Sequence, residues 1–449
     1  MRVRLVLMVL GLLLVPTVAV AGEARAATKA FSNASLACAW PIESTPIKAN
    51  VAYPDSSATY WTTPYVAVDG LTITITGSFP TARYFSIQNY DSDAQLFTVN
   101  GVQSGITDFQ IAPSTGSSNP WVAAGAANGG AYSVSVQTNV GSGVPNAIPL
   151  RPTTPATPLF KGLPAYTGFL MIRVYLPEGG SANDASVVPL PTLTFTRNGK
   201  STTLQVCKNA QTTPSMKSQI RSAAMKAAIK KILGGGAGGG GGCTTTCPEQ
   251  LSFFKAGSGS TPFPNANSGY AAALYQPAAG YISVVRATMP TSSTAAGSAP
   301  APWPVTGTDL RYWSVCNYVY QAPFPVVKVG RVFGCLADED VPMVQGVATV
   351  VLSAPADRPR ATRGPRATIG WLPTSRSNTT ARELVAVRNM LANTTFTQSA
   401  MSIPTANDPT AAESTMGVYY PEMTQCTIAV FKARGVKGCF ATPSSPARS

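Results

Sequence analysis

Apolar and polar residues alternate with a period of two along much of the chain. The alternation is clearest at residues 71–76 and 132–137, where every second position is leucine, isoleucine, valine or tyrosine. This pattern predicts strands with one buried and one exposed face. Nearly continuous apolar runs are typical of strands covered on both faces, and they span residues 169–176, 281–285 and 347–352. The sequence therefore predicts a mainly β protein.

Two segments have the spacing of a helix. Residues 215–233 combine basic positions with one apolar face, which consists of Met225, Ile229, Ile232 and Leu233. We interpret this segment as a linker helix packed on a domain, or alternatively as a basic amphipathic helix on an anionic membrane. In residues 381–391, four residues are expected to face a core: Leu384, Val385, Val387 and Leu391.

A glycine-rich run at residues 234–242 divides the chain. Such a run is expected to act as a flexible tether, because glycine restricts the backbone least. Single hydrophobic cores also stop growing beyond about 250–300 residues, so two domains are expected. We predict a signal peptide (1–26), a β-sandwich domain (27–208), a basic helix with a glycine-rich linker (209–247) and a second β-rich domain (248–449). The 38 prolines and 39 glycines favour sandwich or jelly-roll-like domains.

The two halves share short motifs in the same order, which predicts that the second domain is a diverged internal repeat of the first. Each half has a glycine before a β-patterned segment, an Arg-Tyr-aromatic-Ser motif, an apolar run from glycine to proline, and a Leu-Pro-Thr. In the first half these are Gly70, 83–86, 168–177 and 190–192. In the second half they are Gly280, 311–314, 346–355 and 372–374.

The N-terminus has the order of a secretory signal peptide. Arg2 and Arg4 precede an apolar run at residues 5–20, and cleavage is expected after Ala26 or Ala21. A transmembrane anchor is the alternative, but it needs about 20 apolar residues. No later segment of the sequence is long and apolar enough to span a bilayer. We therefore predict a secreted, extracytoplasmic protein.

Eight cysteines follow this segment, and an even number in an exported protein indicates disulfides. They are Cys38, Cys207, Cys243, Cys247, Cys316, Cys335, Cys426 and Cys439. Eight cysteines allow 105 pairings, among which proximity favours 426 with 439, 316 with 335 and 243 with 247, and leaves 38 with 207. The alternative for Cys243 and Cys247 is half a zinc site or a redox pair, which the absence of a second close pair and of histidine disfavours.

The absence of histidine excludes Ser-His-Asp and Cys-His catalysis, histidine zinc sites and histidine-ligated haem. Any chemistry would depend on carboxylates, lysine, tyrosine or a serine–lysine pair. No metal site or cofactor is predicted, and no nucleotide-binding or RNA-binding motif is present. The net charge is +14, and without residues 1–26 it is 30 − 18 = +12. This charge predicts attraction to anionic polymers or anionic membranes, unless it serves solubility alone.

Part of the first half resembles a bacterial domain family of unknown function found in exported proteins. The resemblance is carried by residues 82–86, the pair Tyr90-Asp91, residues 168–177 and a following Leu-Pro, and it covers about residues 60–200. It implies a jelly-roll sandwich and no activity, because the family has no established catalytic residues. The second half departs from the pattern: Cys316 and Asn317 occupy the region of Asn89 and Tyr90, and no Tyr-Asp follows.

Three groups of residues are candidates for a site. Asp338 and Asp340 flank Glu339, and paired carboxylates can share acid and base roles in glycoside cleavage; the alternatives are an exposed acidic turn or a calcium-binding loop. Arg83 and Arg311, each followed by two aromatic residues, are candidates for binding anions or sugars, or for core packing with the arginines at the sheet rim. A basic loop, solvated or in contact with phosphates or acidic glycans, carries Arg358, Arg360, Arg363 and Arg366.

These features favour a secreted, non-enzymatic protein that binds an anionic or glycan surface polymer or acts at the cell envelope. A carboxylate-based enzyme acting on glycans and a purely structural extracellular protein are the alternatives. No specific nucleic acid is predicted as a partner.

Overall fold

The structure is a computed structural model that describes residues 32–123, 129–150, 163–178, 188–208, 251–256, 262–292, 300–321, 323–375 and 382–443. We refer to residues 32–208 as the first half and to residues 251–443 as the second half. Strands dominate both halves, which confirms the prediction of a mainly β protein. The predicted signal peptide, the helix at 215–233, the glycine run and the pair of Cys243 and Cys247 lie outside the described residues.

The strands of the first half are β1 (Ile42–Ser44), β2 (Ala58–Val66), β3 (Leu71–Ser78), β4 (Ala82–Tyr90), β5 (Thr98–Val99), β6 (Val102–Gln103), β7 (Gly105–Thr107), β8 (Ala131–Gln137), β9 (Ala147–Pro149), β10 (Thr167–Pro177), β11 (Thr192–Arg197) and β12 (Lys200–Leu204). Those of the second half are β13 (Phe254–Lys255), β14 (Ser268–Tyr275), β15 (Tyr281–Thr288), β16 (Leu310–Val319), β17 (Lys328–Val329), β18 (Val332–Phe333), β19 (Cys335–Ala337), β20 (Met343–Val344), β21 (Val347–Ser353), β22 (Gly370–Pro373), β23 (Glu383–Ala392) and β24 (Glu422–Thr427). The α-helices are α1 (Pro409–Met416) and α2 (Ile428–Ala441), and α2 is kinked at Gly435, where the backbone is not helical. Single 3-10 turns span Asn33–Ser35, Asp108–Gln110, Pro355–Asp357, Arg360–Thr362 and Gly417–Tyr419.

Two sheets share one apolar core in the first half, with strand orders β1-β2-β10-β4-β7 and β12-β11-β3-β8-β9. The alternation along β3 and β8 turns Ile73, Ile75 and Val134 into this core, where Phe85 and Ile172 of the other sheet also lie. β10 is buried along its whole length because β2 and β4 flank it and apolar clusters cover both of its faces. The strands predicted at 71–76, 132–137 and 169–176 are therefore confirmed.

The second half also has two sheets around one core. Their strand orders are β13-β14-β23-β16-β19 and β20-β21-β15-β24, and β22 pairs in parallel with β21. Side chains from both sheets fill the core, among them Val285, Val350 and Val387. The predicted strands at 281–285 and 347–352 are confirmed as β15 and β21.

The pairing pattern of the first half recurs in the second half. β2, β10, β4 and β7 are consecutive in one sheet, as β14, β23, β16 and β19 are in another. A parallel pair also recurs, β8 with β9 and β21 with β22. Gly70 and Gly280, the glycines of the shared motifs, both have a positive φ just before β3 and β15, a conformation that favours glycine.

Two sequence predictions about this correspondence were wrong. The runs 168–177 and 346–355 do not match, because β10 pairs with β4 whereas β21 pairs with β15. The strand in the position of β10 is β23, which includes residues 383–391 of the segment 381–391 that was predicted to be helical. A short run that is apolar on both faces has no clear period, so helix and buried strand cannot be separated by pattern. The Leu-Pro-Thr motifs differ too: 372–373 lie in β22 and 190–191 precede β11.

Three disulfides confirm predicted pairings, two of them favoured by sequence proximity and the third, Cys38 with Cys207, the pair that remained. Cys38 is bonded to Cys207, Cys316 to Cys335 and Cys426 to Cys439. Each bond lies within one half of the molecule. Across the described ranges, no helix is long and apolar enough to cross a membrane.

Candidate functional site

Two candidate residues from opposite halves form one ion pair. Arg83 lies on β4 of the first half, and Asp338 follows β19 of the second half. The distance from Arg83 Nη1 to Asp338 Oδ2 is 3.0 Å, and that from Arg83 Nη2 to Glu339 Oε2 is 3.1 Å. Arg83 is only 2% exposed. The guanidinium is therefore buried between the halves and does not lie on an open sheet rim.

A second ion pair repeats the first with the halves exchanged. Arg311 lies on β16, and Asp108 follows β7. The distance from Arg311 Nη1 to each carboxylate oxygen of Asp108 is 2.7 Å. Asp108 also accepts hydrogen bonds from the backbone N–H groups of Phe85 and Phe109. The Arg311 guanidinium carbon lies 5.1 Å from the ring centre of Trp303. Each Arg-Tyr-aromatic-Ser motif thus sends its arginine to a carboxylate of the other half.

A third cross-half pair joins Arg388 of β23 to Asp55, just before β2. The same Asp55 oxygen, Oδ2, accepts hydrogen bonds from the Tyr312 hydroxyl at 3.0 Å and the Ser314 hydroxyl at 2.8 Å. Oδ1 accepts one from the Ser57 N–H at 2.9 Å. Both carboxylate oxygens are therefore used inside the molecule.

The position matching Asp55 in the second half carries Asn265. Its side-chain oxygen accepts hydrogen bonds from the Tyr84 hydroxyl at 3.1 Å and from Gln88 Nε2 at 2.9 Å. Nearby, Arg173 of β10 donates to Gln88 Oε1, to the Tyr90 hydroxyl and to the Phe263 carbonyl. Arg173 is therefore held by amide, hydroxyl and carbonyl oxygens. Arg388, in contrast, is held by the carboxylate of Asp55.

An apolar and aromatic cluster surrounds these polar groups. It takes side chains from both halves: Ala58, Tyr60, Tyr84, Tyr90, Phe169, Met171, Tyr175 and Leu176 from the first, and Tyr312, Ala337, Met390 and Leu391 from the second. We call these residues and the three cross-half ion pairs the interface between the halves. Buried ion pairs are costly to desolvate, so they add little net stability when intact. Removing one partner is strongly destabilising, because it leaves an uncompensated buried charge.

Burial shifts the pKa values of several acidic groups in and near this interface. Burial raises the pKa of Asp108 and of Asp338, and the paired arginines Arg311 and Arg83 oppose the rise. Burial also raises the pKa of Tyr90 to about 12. Asp340 has its pKa raised by burial, and its N–H donates to the Ala337 carbonyl.

This geometry does not favour the catalytic hypothesis for Asp338 and Asp340. Asp338 uses Oδ2 for Arg83 and Oδ1 for the Glu339 N–H, so neither oxygen faces an open cleft. Nor does it favour a metal. Asp55, Cys316 and Cys335 have ligand-type atoms within 4.8 Å of one another, but the two sulfurs form a disulfide, and thiolates are the metal ligands.

The arginine loop lies elsewhere, on the outer face of the sheet that contains β21 and β15. Arg358 stacks on Trp371 with its guanidinium carbon 4.4 Å from the ring centre, and it donates to the Thr362 hydroxyl and carbonyl. Arg360, Arg363 and Arg366 are exposed. Burial lowers the pKa of Arg358, and the neighbouring positive charge of Arg363 lowers it further. The loop is therefore anchored by one arginine and presents three others to solvent.

Helix α2 brings further basic residues to the same face. Phe431 of α2 and Trp371 belong to one apolar cluster on the outer side of β15 and β21, together with Ile282, Val284 and Val351. The exposed residues of α2 include Lys432, Arg434 and Lys437. We call these three residues and the four loop arginines the basic face.

A cavity of about 410 Å³ lies in the first half, and it is lined by residues 109–113 and 117–119 together with Val122 and Ala123. Residues that line it include Ser117, Ser118 and Val122, and none of the lining side chains is charged. Asn119 spends its amide on the carbonyls of Asp108 and Ile111. The cavity therefore offers no charged side chain to a ligand.

Comparisons with known proteins identify no function. No protein-family model matches the chain, and no curated protein matches it. A solved structure of an uncharacterized protein from Burkholderia cenocepacia is similar at 14% identity and a TM-score of 0.47, over 88% of this chain and 84% of that one. The VPA0106 protein from Vibrio parahaemolyticus is similar at 11% identity and a TM-score of 0.36, over 83% and 89%. Neither description names an activity, and the resemblance to the exported jelly-roll family stays a prediction.

Sequence reasoning selected Arg83, Arg311 and Asp338 but missed Asp55, Asp108, Arg173 and Arg388. A signal for Asp55 was present, since Tyr53-Pro54-Asp55 and Phe263-Pro264-Asn265 each precede a β-patterned segment that has a tyrosine ten residues further on, Tyr65 and Tyr275. The alignment of the halves was also one residue out. Asn317 matches Asn89, because in both residues the side-chain oxygen accepts a hydrogen bond from a tyrosine hydroxyl and the side-chain nitrogen donates one to a proline carbonyl.

Proposed function

We propose that this protein is an exported, non-enzymatic binder of an anionic polymer of the cell envelope, and that it binds through the basic face. The observation that carries the proposal is the grouping of exposed cationic side chains from two distant segments over one sheet. A surface of one charge sign attracts polymers of the opposite sign. The net charge of +12 without residues 1–26 supports an anionic partner, and the signal-peptide pattern of those residues supports export to the envelope.

The chemistry of the basic face suits carboxylate, sulfate or phosphate groups. Guanidinium groups offer planar pairs of donors that match such anions. The Arg358–Trp371 stack keeps one end of the loop in place. Among the neighbouring carboxylates, Glu422 pairs with Arg286 at 2.6 Å, so it is engaged with a cation outside the basic face.

We also infer that the two halves descend from one duplicated β-domain. The matching strand pairing, the two Arg-Tyr-aromatic-Ser motifs and the reciprocal ion pairs support this. In this proposal the segment 209–247 joins two domains, and the second has acquired its basic loop and C-terminal helix for polymer binding.

The test is binding of the purified protein to immobilised polygalacturonate, a sulfated polysaccharide and a neutral dextran at several salt concentrations. We expect binding to both anionic polymers that weakens as salt screens the charges, and none to dextran. Replacing Arg360, Arg363 and Arg366 by serine should weaken binding at least about tenfold, or about 1.4 kcal/mol.

The matched control removes three exposed cations from the first half, Arg197, Lys200 and Lys208, by the same substitution. If both triple variants lose affinity equally, net charge alone explains binding and the basic face is not a site. Binding to dextran that salt leaves unchanged would also overturn the proposal. Release of reducing ends in the same assay would instead indicate a glycan-active enzyme.

A further inference from the structure

The contacts between the halves are reciprocal down to the backbone. The Tyr53 N–H donates to the Phe324 carbonyl, and in the exchanged arrangement the Phe263 N–H donates to the Ala94 carbonyl. Tyr53 and Phe263 each precede a Pro-Asp or Pro-Asn pair. The two donors, Tyr53 and Phe263, and the two acceptors, Phe324 and Ala94, all have positive φ. The interface therefore has the self-complementary form of a two-fold dimer, built within one chain.

The reciprocity extends to the hydroxyl groups and the central arginines. The Tyr312 hydroxyl donates to Asp55, as the Tyr84 hydroxyl donates to Asn265. Arg388 lies on β23 and Arg173 on β10, the matching strand of the other half. Arg173 donates to the Phe263 carbonyl, and Arg388 approaches the Tyr53 carbonyl at 3.5 Å.

One polar position breaks this symmetry, because the first half has the carboxylate of Asp55 where the second half has the amide of Asn265. Arg388 obtains its carboxylate from Asp55. Arg173 uses Gln88 Oε1 at 2.8 Å and the Tyr90 hydroxyl at 2.7 Å, both from the neighbouring strand β4. Arg388 has no such amide beside it, because the position of Gln88 is occupied by Cys316, which is bonded to Cys335. Within the described ranges, Arg388 therefore depends on the first half for its counter-ion.

We propose that this interface is a pairing surface between domains of one fold, and that Asp55 determines which partner the second half accepts. A second half that met a copy of itself would place Asn265 opposite Arg388 twice and bury two arginines without a carboxylate, which is unfavourable. The first half supplies Asp55 and removes that penalty. The halves thus pair with each other through their own contacts and do not need the connecting segment to stay together. This inference is independent of the proposed polymer binding.

The first experiment cuts the full chain. A protease site replaces residues 236–239, so that Cys243 and Cys247 both remain with the second fragment, and every described disulfide lies within one fragment. We expect the two fragments to elute together at micromolar concentration in 0.5 M NaCl without reductant, and to appear as a one-to-one complex by native mass spectrometry. Fragments that separate under these conditions overturn the proposal.

The second experiment tests Asp55 in the nicked protein. Asp55→Asn copies the residue of the second half and leaves Arg388 unpaired, so we expect affinity between the fragments to fall at least about 100-fold. The control Asp69→Asn makes the same change at an exposed position of the first half and should leave affinity unchanged. Equal behaviour of the two variants would contradict the role of Asp55.

A third variant keeps the proposal testable if Asp55→Asn does not fold. Asn265→Asp places a carboxylate near Arg173, and its oxygens can still accept from Tyr84 and Gln88. The pairing logic predicts a folded protein whose fragments bind at least as tightly as those of the parent. Weaker binding of Asn265→Asp would show that charge matching does not control this interface and would overturn the proposal.

Discussion

The outer faces of β3 and β15 differ, although both strands occupy matching places in their halves. On β3 the outward residues are Thr72, Thr74 and Thr76, and they are half-buried or exposed. On β15 the corresponding outward residues include Ile282 and Val284, which are buried. The inner faces of both strands contribute apolar side chains to their cores, among them Ile73 and Ile75 of β3 and Val285 and Ala287 of β15. The face toward the core is thus apolar in both halves, whereas the polarity of the outer face depends on whether another element covers it.

The covering element explains the difference. In the second half, α2 follows β24 directly and packs its Phe431 on the outer face, and the Cys426–Cys439 disulfide joins the helix to the strand. In the first half, β11 is followed by β12, which extends the sheet sideways. There the outer face remains a row of hydroxyl groups, such as the Thr194–Thr203 pair at 2.9 Å. A sheet face becomes apolar where the chain returns to bury it.

The largest effect is expected from removing the side chain that joins α2 to the sheet. Phe431→Ala should lower the free energy of unfolding by about 3–5 kcal/mol, because it leaves a cavity against Ile282 and Trp371. Urea unfolding of the full chain measures this change. Val418→Ala is the control, since Val418 is 69% exposed, and it should change stability by less than about 0.5 kcal/mol. Similar losses in the two variants would mean that α2 does not cover the outer face.

A smaller effect is expected from removing the tether of α2. Replacing Cys426 and Cys439 by serine should cost about 2–4 kcal/mol, since the bond restricts the unfolded chain. Hydrogen exchange should show faster opening of α2 and unchanged protection of β11. Replacing Cys38 and Cys207 by serine should instead lower hydrogen-exchange protection in the first half and leave the protection of α2 unchanged. Loss of protection in both halves from either pair would indicate that the outer faces are not independent.

The sequence predicted the strands of this molecule better than their correspondence. Alternation identified β3 and β8 because one face of each lies on the core and the other carries polar residues. β23 was mistaken for a helix because neighbours on both sides and clusters on both faces bury it, which removes the alternation. Proximity succeeded for two disulfides because their cysteines are separated by only 13 and 19 residues.

The counter-ions of the interface could not be predicted in this way. Arg311 and Asp108 are 203 positions apart, and Arg388 and Asp55 are 333 apart. Nothing in local pattern joins residues at such separations. The similarity of the two Arg-Tyr-aromatic-Ser motifs indicated which arginines matter, but only the packing of one half on the other reveals that each pairs across the junction.

The smallest effect concerns single side chains at matching positions of the two outer faces. Val284 of β15 and Thr74 of β3 both lie opposite a threonine of the next strand, Thr424 and Thr194 respectively. Val284→Thr puts a hydroxyl of similar size under α2, where Val284 is fully buried, and should cost about 1–3 kcal/mol. Thr74→Val makes the reverse change on a face open to water and should stay within about 0.5 kcal/mol. Urea unfolding of both variants gives the comparison directly. Equal costs would mean that the Thr74 side chain is as buried as that of Val284, and that another element also covers the outer face of the first half.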